Sequence, residues 1–205
     1  MKTKILAIVG PTASGKTALS IELAKQLNGE IISCDSMQIY KKMDIGTAKP
    51  SVDEMAGIPH HIIDIIEPDV EFSCADYATE AKKKIEEITQ KGKLPIFCGG
   101  TGLYIDNILH NTTLSEAQKD DEYRAQLEKE LSEFGPMFLH DKLKEIDEES
   151  ANSIHPNNTK RVIRALEIYK TTGITKTEWD KKSRTEDSPY DCTMICLDFK
   201  DRQIL

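Results

Sequence analysis

Eight consecutive residues, Gly10-Pro11-Thr12-Ala13-Ser14-Gly15-Lys16-Thr17, have the types and spacing to grip a di- or triphosphate. In a Gly-x-x-x-x-Gly-Lys-Thr loop, glycine permits the tight path that turns successive backbone N–H groups toward one anion. Lys16 adds a point charge for the terminal phosphates, and the Thr17 hydroxyl is a ligand for Mg²⁺. The apolar run Ile5-Leu6-Ala7-Ile8-Val9 precedes the loop and a helix-like stretch follows it, so a helix dipole is offered to the same anion. An ordinary turn rich in glycine and serine is the bland alternative, and the flanks disfavour it. A second candidate is Asp35-Ser36, at the carboxyl end of the apolar run Glu30-Ile31-Ile32-Ser33-Cys34. Ligands of open α/β sheets sit on that rim. A carboxylate there can be a base, a metal-shell partner or a cap for the next segment, and the residues alone leave all three open.

The elements that would position these groups are legible in the pattern. Leu19, Leu23 and Leu27 recur at helical spacing before the stop at Asn28-Gly29. His60 to Ile66 reads as a short strand closed by Pro68. Ser73 and Asp76 form a capping box for a helix carrying Tyr77, Ala81, Ile85 and Ile88 on one face and ending at Gly92. Leu94 to Cys98 is a further strand, breaking into Gly99-Gly100-Thr101-Gly102. Alternating strands and helices predict a parallel α/β sheet with crossover helices. From 111 to 189 strand signal nearly vanishes. Ser115 with Gln118 predicts a cap for a helix through Phe134, Gly135-Pro136 punctuates, and a second helix runs to Ile146. Asn157 or Asn158 caps a third, Lys160 to Thr172, stopped by Gly173. Strand character returns at Thr193 to Asp198. The predicted organisation is an α/β core of residues 1–110 plus 190–205 with an all-helical insertion at 111–189.

A formal charge of -8 gives no overall nucleic-acid signature, but the charge is uneven. Thr112 to Ser150 holds 12 acidic and 5 basic residues, whereas His155 to Thr185 holds 8 basic and 3 acidic. The second block is either a basic binding face or a solvated helix surface. Five scattered cysteines without zinc spacing read as free, buried thiols in a reducing compartment. The first apolar run is too short for a signal peptide, and no stretch reaches membrane-spanning length. The expectation is a soluble, cytoplasmic protein with no membrane partner.

The loop does not name a reaction. The chain has no Asn-Lys-x-Asp guanine reader, no Asp-x-x-Gly switch, and no apolar strand ending in Asp-Glu. It does contain Asp35-Ser36-Met37-Gln38-Ile39-Tyr40-Lys41-Lys42-Met43-Asp44-Ile45-Gly46-Thr47-Ala48-Lys49-Pro50, which resembles the signature of tRNA dimethylallyltransferases. Similar in order are the phosphate loop, Gly57-x-Pro59-His60-His61, Gly99-Gly100-Thr101-Gly102-Leu103-Tyr104, and His155-Pro156-Asn157-x-x-Lys160-Arg161-x-x-Arg164-Ala165-Leu166-Glu167. The resemblance runs from about Ile5 to Leu205, and it implies a chain lacking the family's carboxyl-terminal portion, since members continue beyond Leu205.

The resemblance implies a phosphate-loop fold and transfer of a dimethylallyl group from dimethylallyl diphosphate to N6 of adenosine 37. The tRNAs would be those reading codons that begin with U. Gly10, Pro11, Thr12, Ala13, Ser14, Gly15, Lys16 and Thr17 would hold the diphosphate, with Mg²⁺ on Thr17. Asp35 matches the family's base, and Thr101 a position at the reacting centre, where a plain turn residue is the competing view. Asp35, Ser36, Met37, Gln38 and Thr101 would meet the flipped nucleotide, and Lys160, Arg161, Val162, Ile163 and Arg164 would contact the tRNA anticodon arm, with Arg124 a further candidate. Salt bridges within the insertion are the competing explanation for these arginines, and Val162, Leu166 and Tyr169 are predicted to form the buried stripe of their helix. A monomer is expected. The rivals are an adenylate isopentenyltransferase, a nucleoside-monophosphate-type kinase and a catalytically dead nucleotide-binding module.

Overall fold

The computed structural model describes residues 2–110, 119–183 and 187–199. Two compact units are present, Met1–Thr112 with Asp187–Leu205, and Thr113–Glu186. The first is built on five parallel strands: β1 (Thr3–Val9), β2 (Gly29–Ser33), β3 (His60–His61), β4 (Leu94–Gly99) and β5 (Tyr190–Cys196). Their order across the sheet is β3-β2-β4-β1-β5. Leu6 lies opposite Ile96, Ile31 opposite Ile96 on the other side, and Ile5 opposite Cys192. Period-2 alternation sends side chains to two faces. One face packs Leu6, Ile8, Ile31 and Ile96 against Ile21 and Ala24 of α1 (Lys16–Leu27). The other packs Ile5, Ala7, Ile32 and Phe97 against α2 (Cys74–Gln90) and α3 (Gly102–Leu109). Burial on both faces is why these strands read as continuous apolar runs.

Local signals explain most boundaries. Asn28, in the left-handed region at φ 52, ends α1. The Ser73 side chain accepts from the Asp76 amide and the Asp76 carboxylate accepts from the Ser73 amide, so the capping box is made. The predicted strand from His60 to Ile66 is corrected to two residues. Ile62 at φ 57 and Asp64 at φ 59 leave the extended region, and pairing resumes only as a lone Tyr40–Ile66 bridge. β5 starts three residues earlier than predicted and ends at Cys196. All five cysteines are free, yet only Cys34 is fully buried and Cys196 is exposed.

The second unit is helical: α4 (Asp121–Phe134), α5 (Pro136–Ile146), α6 (Glu148–Ser153), α7 (Thr159–Thr172) and α8 (Lys176–Ser183). The predicted cap at Ser115 and Gln118 lies outside the described residues. α4 instead has Asp120 as N-cap, its carboxylate accepting from the Tyr123 amide at 2.9 Å. Leu127, Leu139, Leu143, Ile154, Val162 and Leu166 form the core of this unit. Tyr169, predicted to be buried, is 40% exposed, because the inward positions of α7 beyond Leu166 are filled by Glu167 and Ile168.

Candidate active site at the carboxyl edge of the sheet

Three chain segments leave the carboxyl ends of neighbouring strands β1, β4 and β2. The first is the phosphate loop. Gly10, at φ 151, passes so close to β5 that a Cβ there would stand 2.5 Å from the Leu197 carbonyl oxygen. Only glycine lets the loop begin at this point. α1 opens directly behind the loop with no side-chain cap and no acidic residue in its first turn, so its first N–H groups remain available to an anion. The Lys16 ammonium folds back over its own loop, donating to the Pro11 carbonyl at 2.5 Å and lying 3.5 Å from Ser14 Oγ. A phosphate would compete for this ammonium with a neutral carbonyl and win on charge. The Thr17 hydroxyl makes no hydrogen bond among the described residues, while its carbonyl accepts from Ser20 Oγ at 2.8 Å.

The second segment is the turn after β2. Asp35 is half-buried, and its Oδ1 accepts from the amides of Met37 at 2.8 Å and Gln38 at 3.3 Å. This is a side-chain-capped turn, and it fixes the carboxylate through one oxygen only. Oδ2 has no partner among the described residues, so the same group caps a turn and keeps one oxygen unengaged. The third segment joins the other two. Gly99 has no room for a Cβ, which would stand 2.3 Å from the Cys34 carbonyl oxygen, so β4 and β2 close tightly at the rim. Thr101 donates its amide to that carbonyl at 3.0 Å, and its Oγ1 accepts from the Ser36 amide at 3.1 Å. A Cβ on Gly100 would lie 3.6 Å from the Gly10 carbonyl oxygen, so this turn also touches the start of the phosphate loop.

Strand order then sets the scale. Asp35 follows β2, the phosphate loop follows β1, and β4 lies between, so the two segments leave the rim two strand spacings apart, roughly 10 Å. The charges of Lys16 and Asp35 both reach Cys98 beneath: burial pushes this thiol up, aided by Asp35 and opposed by a Ser20 hydrogen bond and Lys16.

The remaining predicted residues divide. Met37 is 45% exposed beside the turn. The Gln38 side chain is turned inward: its Nε2 donates to the Thr47 and Ala48 carbonyls at 3.1 and 3.2 Å, and its Oε1 accepts from Ser33 Oγ at 3.2 Å. In the helical unit, Val162 and Ile163 are corrected from contact residues to core residues, since both are buried among Leu127, Leu139 and Leu166. Arg124 and Arg164 are both taken up by Glu167, through Arg124 Nε at 2.6 Å, Arg124 Nη2 at 2.8 Å and Arg164 Nη1 at 2.5 Å. Lys160 and Arg161 are exposed and form no ion pair among the described residues. Sequence reasoning missed Glu167 as the organiser of these arginines. The available signal was an acid inside the run Val162 to Ile168, three residues after an arginine.

A phosphate loop closing β1 of a parallel sheet, with a carboxylate on a nearby strand end, defines a P-loop-type α/β protein. The sequence model described as IPP transferase matches residues 38–205. The chain belongs to the IPP transferase family. It is 52% identical over 205 residues to a tRNA dimethylallyltransferase of Oceanobacillus iheyensis, spanning 100% of this chain and 65% of that protein. It is 50% identical to a protein of the same name from Caldanaerobacter subterraneus, again over 65% of that protein's length. Among solved structures, a full-length tRNA isopentenylpyrophosphate transferase from Bacillus halodurans is similar at 50% identity, covering 95% of this chain and 60% of that one, with a TM-score of 0.61. A eukaryotic dimethylallyltransferase acting on tRNA is similar at 34% identity and a TM-score of 0.78, over 95% of this chain and 48% of that one. The chain thus spans about 65% of the length of these curated relatives. No helix among the described residues is long and apolar enough to cross a membrane.

Proposed function

We propose that this chain carries the catalytic sheet of a tRNA dimethylallyltransferase, moving a dimethylallyl group from dimethylallyl diphosphate to N6 of adenosine 37 in tRNAs that read codons beginning with U. The observation that carries the reading is the rim itself: phosphate loop, Thr101 turn and half-free Asp35 carboxylate on the adjacent ends of β1, β4 and β2. The allylic C–O bond breaks and pyrophosphate leaves with the electron pair. The N6 lone pair closes the new C–N bond, and the amine, made acidic by that bond, loses its proton to Asp35 Oδ2. Positive charge on the allylic carbon is shared by conjugation, so the charge building on the leaving diphosphate needs the most stabilisation. The uncapped first N–H groups of α1, and Lys16 once a phosphate draws it off the Pro11 carbonyl, would supply that stabilisation. A free Thr17 hydroxyl suits a hard cation that takes its other ligands from phosphate and water, and no group of three His, Cys, Asp or Glu among the described residues offers a cage of its own. When bound there, Mg²⁺ would neutralise part of the diphosphate charge. The acceptor base must leave the anticodon stack to reach the carboxylate. The reading carries with it a monomer working in the cytoplasm.

Incubating the protein with labelled dimethylallyl diphosphate and, separately, unmodified tRNA, AMP and ATP tests this reading. We expect label in tRNA with pyrophosphate released; label in AMP would overturn the acceptor, and ADP from ATP would overturn the reaction. For tRNA contact, Arg124 and Arg164 are paired with Glu167, whereas Lys160 and Arg161 are exposed without an ion pair among the described residues. Replacing both by alanine is expected to reduce the slope of log K against log salt by roughly 1.5. An unchanged slope would remove this segment from the RNA surface.

A further inference from the structure

Lys49 stands outside the chemistry just described, yet its ammonium is enclosed by three stretches of chain. Its side chain is only 7% exposed. The ammonium donates to three acceptors from three stretches of chain: the Tyr40 carbonyl at 2.8 Å, Asp44 Oδ1 at 2.6 Å and Asp64 Oδ1 at 2.9 Å. All three donors of a lysine are thereby used. The loop it holds has little apolar content to define its shape. Ile45 at its tip is 98% exposed, and Lys42 and Ala48 take positive φ values of 64 and 47. Polar tethers do the shaping instead. Gln38 pins the carbonyls of Thr47 and Ala48, the Lys41 amide donates to the Ile66 carbonyl, and the Asp64 amide donates back to the Gln38 carbonyl. Met37, Met43, Ile45 and Thr47 line a hollow of about 410 Å³ on this loop, directly after the turn that Asp35 caps.

We propose that Lys49 is a positioning residue, a three-way clamp that locks the 40–49 loop against Asp64 so that Met37 and the hollow beside it present a fixed surface to the acceptor RNA. This rests on the transferase reading above and adds to it the element that orders the acceptor side. The ammonium points into the protein, so its effect on a ligand passes through the loop. A charge is kept at this enclosed point although an apolar side chain of similar length would avoid the desolvation cost. What the charge adds is a fixed geometry for residues 41–49, which, unlike the flanking Ile39, Tyr40, Ile62 and Ile66, do not join the core of the sheet unit. Pre-ordering such a surface spares the ordering cost at binding.

Two variants test the clamp: Lys49→Met, and the double variant Asp44→Asn with Asp64→Asn. The latter keeps Lys49 and changes two carboxylates that are 62% and 56% exposed, so the fold survives it. Amide hydrogen exchange, affinity for unmodified tRNA, and kcat and KM are read together. Exchange at Lys41, Ala48, Lys49 and Asp64 should quicken at least tenfold in both variants, with β1 and β4 unchanged. Affinity for tRNA should fall, and its KM rise, by about tenfold, with kcat within about threefold and dimethylallyl diphosphate affinity unaltered. A loop that exchanges as before, or loosens without any loss of tRNA affinity, overturns the clamp while the transferase reading stands. So does loosening that spreads equally to β1 and β4, which would make Lys49 a general stability residue. Wild-type protein that neither binds tRNA nor transfers label overturns the transferase reading itself, and the acceptor role of Lys49 with it.

Discussion

Glu167→Ala should destabilise the helical unit by about 3 kcal/mol, the low end of the range for removing one partner of a buried ion pair. The Glu167 side chain has no exposure and accepts four hydrogen bonds, three from Arg124 and Arg164 and one from the Asp120 amide at 2.9 Å. That amide belongs to the cap of α4, so one carboxylate ties α4 to α7. Burial alone would raise its pKa. Arg124, the Asp120 amide and Arg164 outweigh burial and hold it down at about 2. The low end applies because both guanidinium groups are about a third exposed and can turn to water once the acid is gone. For a unit of this size the loss corresponds to a melting point lower by more than about 10 °C. Calorimetry or exchange at α4 and α7 amides checks it, and a variant melting within about 2 °C of wild type would discard Glu167 as the organiser.

The sign of the acid effect follows from the direction of the shift. A carboxylate whose folded pKa lies below its unfolded value of 4.5 stabilises fully above that value. The contribution fades as pH falls from 4.5 toward about 2. Glu30 behaves alike at the opposite edge of the sheet from the site. Burial would raise it, but Lys93, His61 and Lys91 hold it near 2, with contacts of 2.8, 2.7 and 3.2 Å. Both units therefore weaken in the same acid window, and Glu167→Ala should flatten the pH dependence of the helical unit alone.

How much of this was legible depended on how local the cause was. The helix from Lys16 to Leu27 and the Ser73–Asp76 box are legible because each of their backbone and capping hydrogen bonds joins residues within four of one another, and the strand before the loop is legible because burial on both faces makes it a continuous apolar run. Partners distant in sequence carry no such mark. Nothing near Gln38 says that its amide closes on Thr47, or that Arg124 meets Glu167 43 residues on. Arg164 stands in a basic run and Arg124 in an acidic one, the sequence leaves RNA contact and salt bridges both open for them, and packing alone decides that both are spent on a buried acid. α6 and α8, at six and eight residues, are too short for an apolar face to repeat visibly in sequence, and α3 begins inside a glycine turn that masks its start. The positive φ at Ile62 and Asp64 is a tertiary effect too. The chain bends there to return Asp64 to Gln38 and Lys49, against the preference of a β-branched isoleucine.

Asp35→Asn should lower turnover by about 10² to 10⁴ while leaving diphosphate binding intact, the span that a positioned general base contributes. Asparagine is the informative replacement because Asp35 does two things with two oxygens. Oδ1 pins the Met37 and Gln38 amides, and an asparagine carbonyl can accept both bonds in its place. Oδ2 is the free oxygen, and an amide nitrogen there cannot take a proton from the adenine amine. Exchange at Met37 and Gln38 should stay as in wild type, which separates loss of the base from collapse of the turn. Asp35→Ala removes both oxygens, so it should lose turnover and also loosen the turn that Thr101 braces through the Ser36 amide. If Asp35→Asn turns over within about tenfold of wild type, the proton leaves by another route and the carboxylate is only a cap. If it instead weakens binding of dimethylallyl diphosphate to the loop, the separation of roughly two strand spacings between the loop and the Asp35 turn does not hold apart their actions on the substrate.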